Sequence, residues 1–127
     1  MVLFFLNFFS VICWLCDDIQ CYLRYGIQCS FQYKKTPVAH VAVAIKAGSR
    51  DELEHQQGLA HFIEHNLFKG TKNRKAYHIL SRLDDVGGEL NAYTTKEETI
   101  IHASFLKGDL RRAMDLLSDV LIASTFP

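Results

Sequence analysis

The sequence has almost no proline, Pro37 and Pro127 alone, and only seven glycines in 127 residues. That scarcity excludes a long Pro/Gly-rich linker or a low-complexity tract. Neither sign of charge is in excess: Lys+Arg and Asp+Glu both count 14. No basic bias points to nucleic acid, and no run of like charges forms a tail. Cysteine is confined to Cys13, Cys16, Cys21 and Cys29. Cys13 and Cys16 have C-x-x-C spacing but lie in an apolar run without a second ligand pair, so they read as apolar residues rather than a zinc or redox motif. No disulfide framework is visible. What remains is an ordinary globular composition, 49% hydrophobic and 22% charged, in a chain long enough for one domain with a buried core.

Only residues 1–16 form an extended apolar run, broken by Asn7 and Ser10 and ended by Asp17 and Asp18. The run is shorter than the roughly 20 residues that span a bilayer. It lacks the basic start and small-residue cleavage site of a secretory signal. Two readings stay open. As a signal or anchor it makes the protein exported or membrane-associated; as an extension without a folded role it leaves the protein cytoplasmic. Residues 1–18 are therefore set apart from a domain over 19–127.

From Ile19 the pattern becomes β. Ile27, Cys29, Phe31 and Tyr33 alternate with polar residues, the period of a half-buried strand. Tyr25-Gly26 supplies a hairpin turn to the preceding Cys21-Tyr22-Leu23. A second β-rich run covers 38–47, with Val41, Val43 and Ile45 on one face. The small Ala42 and Ala44 on the other face imply something packed closely there. Residues 48–52 read as a polar loop. Helical spacing follows over 58–68, with Leu59, Phe62, Ile63 and Leu67 apolar, and Gly70 as its cap. A second helix covers 75–86 and stops at Gly87-Gly88. Strands at 90–95 and 99–106 precede a third helix, capped by Asp109, whose stripe is Leu110, Ala113, Leu117, Val120 and Leu121. This order predicts an α+β domain, helices packed on a largely antiparallel sheet.

Within the first helix stands His61-Phe62-Ile63-Glu64-His65. A chance match to H-x-x-E-H in a chain this long is below about 1%. On a helix, His61 and His65 share one face and can donate nitrogens to one zinc ion, with a third protein ligand and a water completing the set. Glu64 beside them is placed to take a proton from that water and pass it to a leaving amine. His40, His78 and His102 have no ligand partner in sequence and read as structural; His55 reads as part of a solvated loop.

Gly58-Leu59-Ala60-His61-Phe62-Ile63-Glu64-His65 followed by Phe68-Lys69-Gly70-Thr71 resembles the M16 metallopeptidases. This family includes pitrilysin, insulin-degrading enzyme and the mitochondrial processing peptidase. Ala47-Gly48-Ser49-Arg50-Asp51-Glu52, Gly87-Gly88-Glu89-Leu90-Asn91-Ala92-Tyr93-Thr94 with Glu98-Thr99, and residues 116–126 extend the similarity. Within the family, the form resembling the processing peptidase β-subunit fits better than the long pitrilysin type. The resemblance implies the M16/LuxS-like metallohydrolase fold in an incomplete, N-terminal piece of a domain. It implies a Zn2+-dependent endopeptidase acting on extended peptides or unfolded protein. His61 and His65 are then the metal ligands and Glu64 the general base. A third ligand, a Glu roughly 75 residues past His65, lies beyond Pro127; Glu89, Glu97 and Glu98 do not match its position. Asn91 and Ala92 match the segment that binds substrate as an added strand. The resemblance also implies a second M16 domain or subunit as partner. The alternative reading is a truncated or non-catalytic M16-like subunit with an incomplete zinc site.

Overall fold

The computed structural model describes residues 18–22, 28–32 and 35–126. The apolar run over 1–16, its C-x-x-C pair and the Tyr25-Gly26 turn lie outside the described residues. The chain divides into two compact units, residues 1–36 and 37–127. In the first, β1 (Asp18–Tyr22) pairs antiparallel with β2 (Gln28–Gln32), Asp18 opposite Gln32 and Tyr22 opposite Gln28. The period-two pattern thus forms a two-stranded ribbon.

The second unit is built in the order β3 (Val38–Ile45), α1 (Leu59–Leu67), α2 (Ala76–Asp84), β4 (Glu89–Thr94), β5 (Thr99–Leu106) and α3 (Leu110–Ala123). Its sheet runs β3-β5-β4, antiparallel throughout. β5 is central, and its burial alternates: Thr99, Ile101, Ala103 and Phe105 are buried, while Ile100, His102 and Ser104 are half-buried. The register sets Val41 and Leu90 opposite Ala103, and Val43 and Ala92 opposite Ile101. One face of the sheet therefore joins Ile79 and Leu83 of α2 and Ala113, Leu116, Leu117 and Val120 of α3 in a single core. Strand period two and helical period 3.6 meet on that face. Three helices on an antiparallel sheet is the expected α+β architecture. No helix among the described residues is long and apolar enough to cross a membrane.

Several local expectations change. Ala42 and Ala44 are exposed, so their small size serves no close contact among the described residues. The polar stretch before α1 contains two short 3-10 turns, Ser49–Asp51 and Glu54–Gln56. Asp109 makes no side-chain cap to α3; it faces Arg112 at 3.3 Å, after a 3-10 turn over Lys107–Asp109. Gly70 does not cap α1, which ends at Leu67 with Phe68 as its C-cap; Gly70 is instead buried and bridged to Lys75. Gly87 does end α2 as expected. Its φ of +70° lies in the left-handed region that favours glycine, and the Gly87 and Gly88 amides donate to Asp84 and Leu83 carbonyls at 3.0 and 2.9 Å.

The segment after α1 is pinned by a buried carboxylate that hydrophobic periodicity does not reveal. Asp119 of α3 is 8% exposed. It accepts from Thr71 Oγ1 at 2.7 Å and Asn73 Nδ2 at 2.6 Å, and pairs with Arg74 at 2.6 Å. Backbone bonds from Lys72 to Ala123 and from Thr125 to Gly70 close the same joint. Burial pushes the Asp119 carboxyl up, but the hydrogen bonds from Asn73, Thr71 and Arg74, with the Arg74 charge, outweigh it and hold the carboxyl below its ordinary value. The hydrogen bond to Asp119 is the main cause raising the Arg74 guanidinium; burial opposes it, and the charges of Asp115 and Asp119 add to the rise.

Candidate metal centre

α1 carries the three motif residues on nine residues of helix. The His61 and His65 Nε2 atoms stand 2.9 Å apart, with ring centroids at 4.4 Å and planes at 85°. The i, i+4 spacing thus turns two ring nitrogens toward one point. A tetrahedral zinc bound at ordinary Zn–N lengths holds two such nitrogens about 3.3 Å apart, so a small opening of the pair admits the ion. His61 Nδ1 lies 3.6 Å from Glu64 Oε2, too far for a hydrogen bond. The His61 side chain is 67% exposed and that of Glu64 only 12%. Glu64 Oε2 is buried without a hydrogen-bond partner. Buried carboxylate oxygens are normally satisfied, so this orphan beside two convergent imidazoles fits a site that takes a polar ligand. Among the described residues, no group of three or more His, Cys, Asp or Glu is arranged to hold a metal. The helix supplies two nitrogens and a neighbouring carboxylate.

β4 packs against α1 and is an edge of the described sheet. Asn91 is exposed, whereas Ala92 is buried in the core. The Ala92 amide donates to Asn91 Oδ1 at 2.9 Å. The two residues therefore sit beside the motif helix but present different groups: Asn91 a polar side chain, Ala92 its backbone. The histidines read as structural stay apart from the motif. His40 bonds Ser104 Oγ at 2.9 Å through Nδ1, His102 contacts the Tyr93 ring, and His78 is exposed beside Tyr77. His55 is exposed on its 3-10 turn.

The apolar face expected of α1 is only partly covered. Asn66 and Leu67 are its buried residues, while Leu59, Phe62 and Ile63 are 41%, 64% and 39% exposed. Asn66 spends its side-chain amide on the Phe62 carbonyl at 2.8 Å. Glu52, placed by sequence in a polar loop, instead bonds the start of α1. Its one visible signal is an acidic residue shortly before a helix that begins on glycine.

A helix bearing H-x-x-E-H on an α+β sheet is the arrangement of a metallopeptidase-like domain. Residues 29–127 match the model of the insulinase family, peptidase family M16, and the chain belongs to that family. It is 44% identical over 88 residues to a probable mitochondrial-processing peptidase subunit beta of Arabidopsis thaliana, covering 69% of this chain and 17% of the relative. With the Saccharomyces cerevisiae mitochondrial-processing peptidase subunit beta the identity is 41% over 100 residues, 78% of this chain and 22% of the relative. An uncharacterized zinc protease of Mycobacterium leprae is 50% identical over 84 residues, 66% of this chain and 19% of the relative. The crystal structure of a protease from Helicobacter pylori superposes with a TM-score of 0.81 at 31% identity, over 87% of this chain and 27% of that one. The chain thus spans only 17% to 22% of the length of these sequence relatives.

Proposed function

We propose that this chain provides the metal-binding front of a zinc-dependent endopeptidase acting on extended peptides. One observation carries the reading: the convergent His61 and His65 Nε2 atoms beside the buried, unpartnered Glu64 Oε2. His61 and His65 would hold the zinc through their convergent ring nitrogens, with a third protein ligand from outside the described residues. Bound zinc supplies Lewis acidity and lowers the pKa of its water toward ~7. Glu64 Oε2 accepts the proton of the attacking water and returns it to the leaving amine.

The substrate lies along β4. An edge strand offers backbone groups that hold an extended peptide regardless of its side chains. Asn91 and Ala92 occupy the middle of that strand, and an incoming peptide competes with Asn91 Oδ1 for the Ala92 amide. The relatives named as beta subunits support a second M16 domain or subunit as partner.

Zinc content and cleavage of unstructured fluorogenic peptides, measured on a chain extended past Pro127, test this reading. Glu64→Gln is expected to keep zinc and lose cleavage, and His61→Ala to lose both. Intact cleavage in Glu64→Gln removes Glu64 from the role of base. The absence of a three-ligand group among the described residues favours a second reading for the 127 residues alone, a chain that binds zinc weakly and does not catalyse.

A further inference from the structure

We propose that Glu52 is the positioning residue of α1: its carboxylate ties the helix bearing His61, Glu64 and His65 to the β4–β5 turn. The first amides of a helix have no partners within it, and Gly58 at the N-cap, at φ +89°, has no side chain to supply one. Glu52 fills that role from six residues upstream. Oε2 accepts the Gly58 amide and Oε1 the Ala60 amide, each at 2.8 Å. Hydrogen bonds to a carboxylate are charge-assisted, and its negative charge opposes the positive end of the helix dipole.

The other side of Glu52 is equally fixed. The Ser49 and Arg50 amides donate to the Thr95 and Lys96 carbonyls at 3.1 and 2.9 Å. Thr99 Oγ1 donates to the Ala47 carbonyl at 2.9 Å, and Arg50 pairs with Glu97. The Gly48 amide donates to Asp51 Oδ2 at 2.9 Å. A Cβ on Gly48 would stand 2.6 Å from Lys96 and Thr95 backbone atoms, so the two segments are in direct backbone contact. A rigid path therefore runs from the β4–β5 turn through residues 47–52 into the first turn of α1.

That path matters because packing buries the C-terminal end of α1 more deeply than its start. The buried residues of the helix, Asn66 and Leu67, are at its C-terminal end, while Leu59, Phe62 and Ile63 are exposed. The half of α1 that carries His61 is the half that the Glu52 carboxylate holds, through the Gly58 and Ala60 amides. Glu52 touches neither His61 nor His65; it acts by fixing the helix on which they stand.

The metal arm of the test rests on the reading of His61 and His65 as ligands; the exchange arm does not. The experiment compares the 127-residue chain with Glu52→Gln, which keeps one acceptor oxygen but no charge, and Glu52→Ala, which keeps neither. Val86→Ala, which trims a side chain packed against the core just after α2, controls for lost stability. Hydrogen exchange at the Gly58, Ala60 and Phe62 amides is read by NMR, and Zn2+ affinity by competition with a chromophoric chelator. Glu52→Ala is expected to speed exchange at Gly58 and Ala60 about tenfold or more, the scale of one hydrogen bond to a charged group. Exchange in α3 stays unchanged, and Zn2+ affinity falls severalfold, with Glu52→Gln between. Unchanged exchange at Gly58 and Ala60 overturns the proposal, as does a Val86→Ala chain that loses as much Zn2+ affinity as Glu52→Ala. If the unmodified chain binds Zn2+ too weakly to measure, the exchange arm alone decides the clamp.

Discussion

Replacing Asp119 with alanine withdraws one carboxylate from Thr71, Asn73 and Arg74 at once. Thr71 is 9% exposed and the Arg74 side chain 21%, so neither finds ready compensation in water. Breaking a buried ion pair by removing one partner costs about 3–5 kcal/mol. Arg74 keeps Asp115 at 2.6 Å, but that side chain is 53% exposed, and such a pair contributes under about 1 kcal/mol. Its retention places the expected loss for Asp119→Ala at the lower end, about 3 kcal/mol. A domain of this size loses about 4–8 °C of Tm per kcal/mol, so Tm falls by about 12–24 °C. Urea unfolding followed by far-UV circular dichroism measures the free energy, and Asp119→Asn, which keeps acceptor oxygen without charge, is expected between the two. A loss under about 1 kcal/mol for Asp119→Ala refutes the reasoning, because it reduces the pin to a surface ion pair.

The same carboxyl gives a pH dependence. Its folded-state pKa lies below its ordinary value, so its stabilisation is present above the unfolded pKa of about 3.9 and is lost as pH falls through the folded value; the stability gap between the parent chain and Asp119→Asn should close on acidification below about pH 4. Phe105, 2% exposed at the centre of the core, is expected to cost about 3–5 kcal/mol as alanine, read from the urea midpoint. Gly87→Ala, at φ +70°, should cost about 1–2 kcal/mol. Gly48→Ala is expected to cost about 1–3 kcal/mol and to speed exchange at the Ser49 and Arg50 amides, because its Cβ meets backbone at 2.6 Å.

Elements whose burial follows one period were legible in the sequence. β5 shows strict alternation from Thr99 to Leu106, and α3 a clean stripe through Ala113, Leu117 and Val120. The motif was legible for the same reason, since i, i+4 on a helix fixes the His61–His65 approach with little help from the rest of the fold. What escaped was polar and non-local. Asp119 lies 48 positions from Thr71, and nothing in either neighbourhood marks the pair. Glu52 resembles any other residue of a charged loop until α1 is seen to begin on an uncapped glycine. Asp109 shows the opposite error. A residue type suited to capping an α-helix turned instead toward Arg112, because a 3-10 turn leads into α3.

The central position of β5 also sets the order in which the molecule can be assembled. β4 and β5 are joined by a short turn, in which Thr95 bonds Glu98 through both backbone and side chain, so their hairpin closes locally and early. β3 reaches β5 only by spanning a long intervening stretch; the Thr99–Ala47 hydrogen bond alone bridges 52 positions. Closing a loop of that length costs about 3.5 kcal/mol of chain entropy beyond the constant term. α1 and its histidines lie inside that loop. The first turn of α1 therefore gains its tie through residues 47–52 only when these long-range contacts have formed, after the hairpin against which the helix packs has closed.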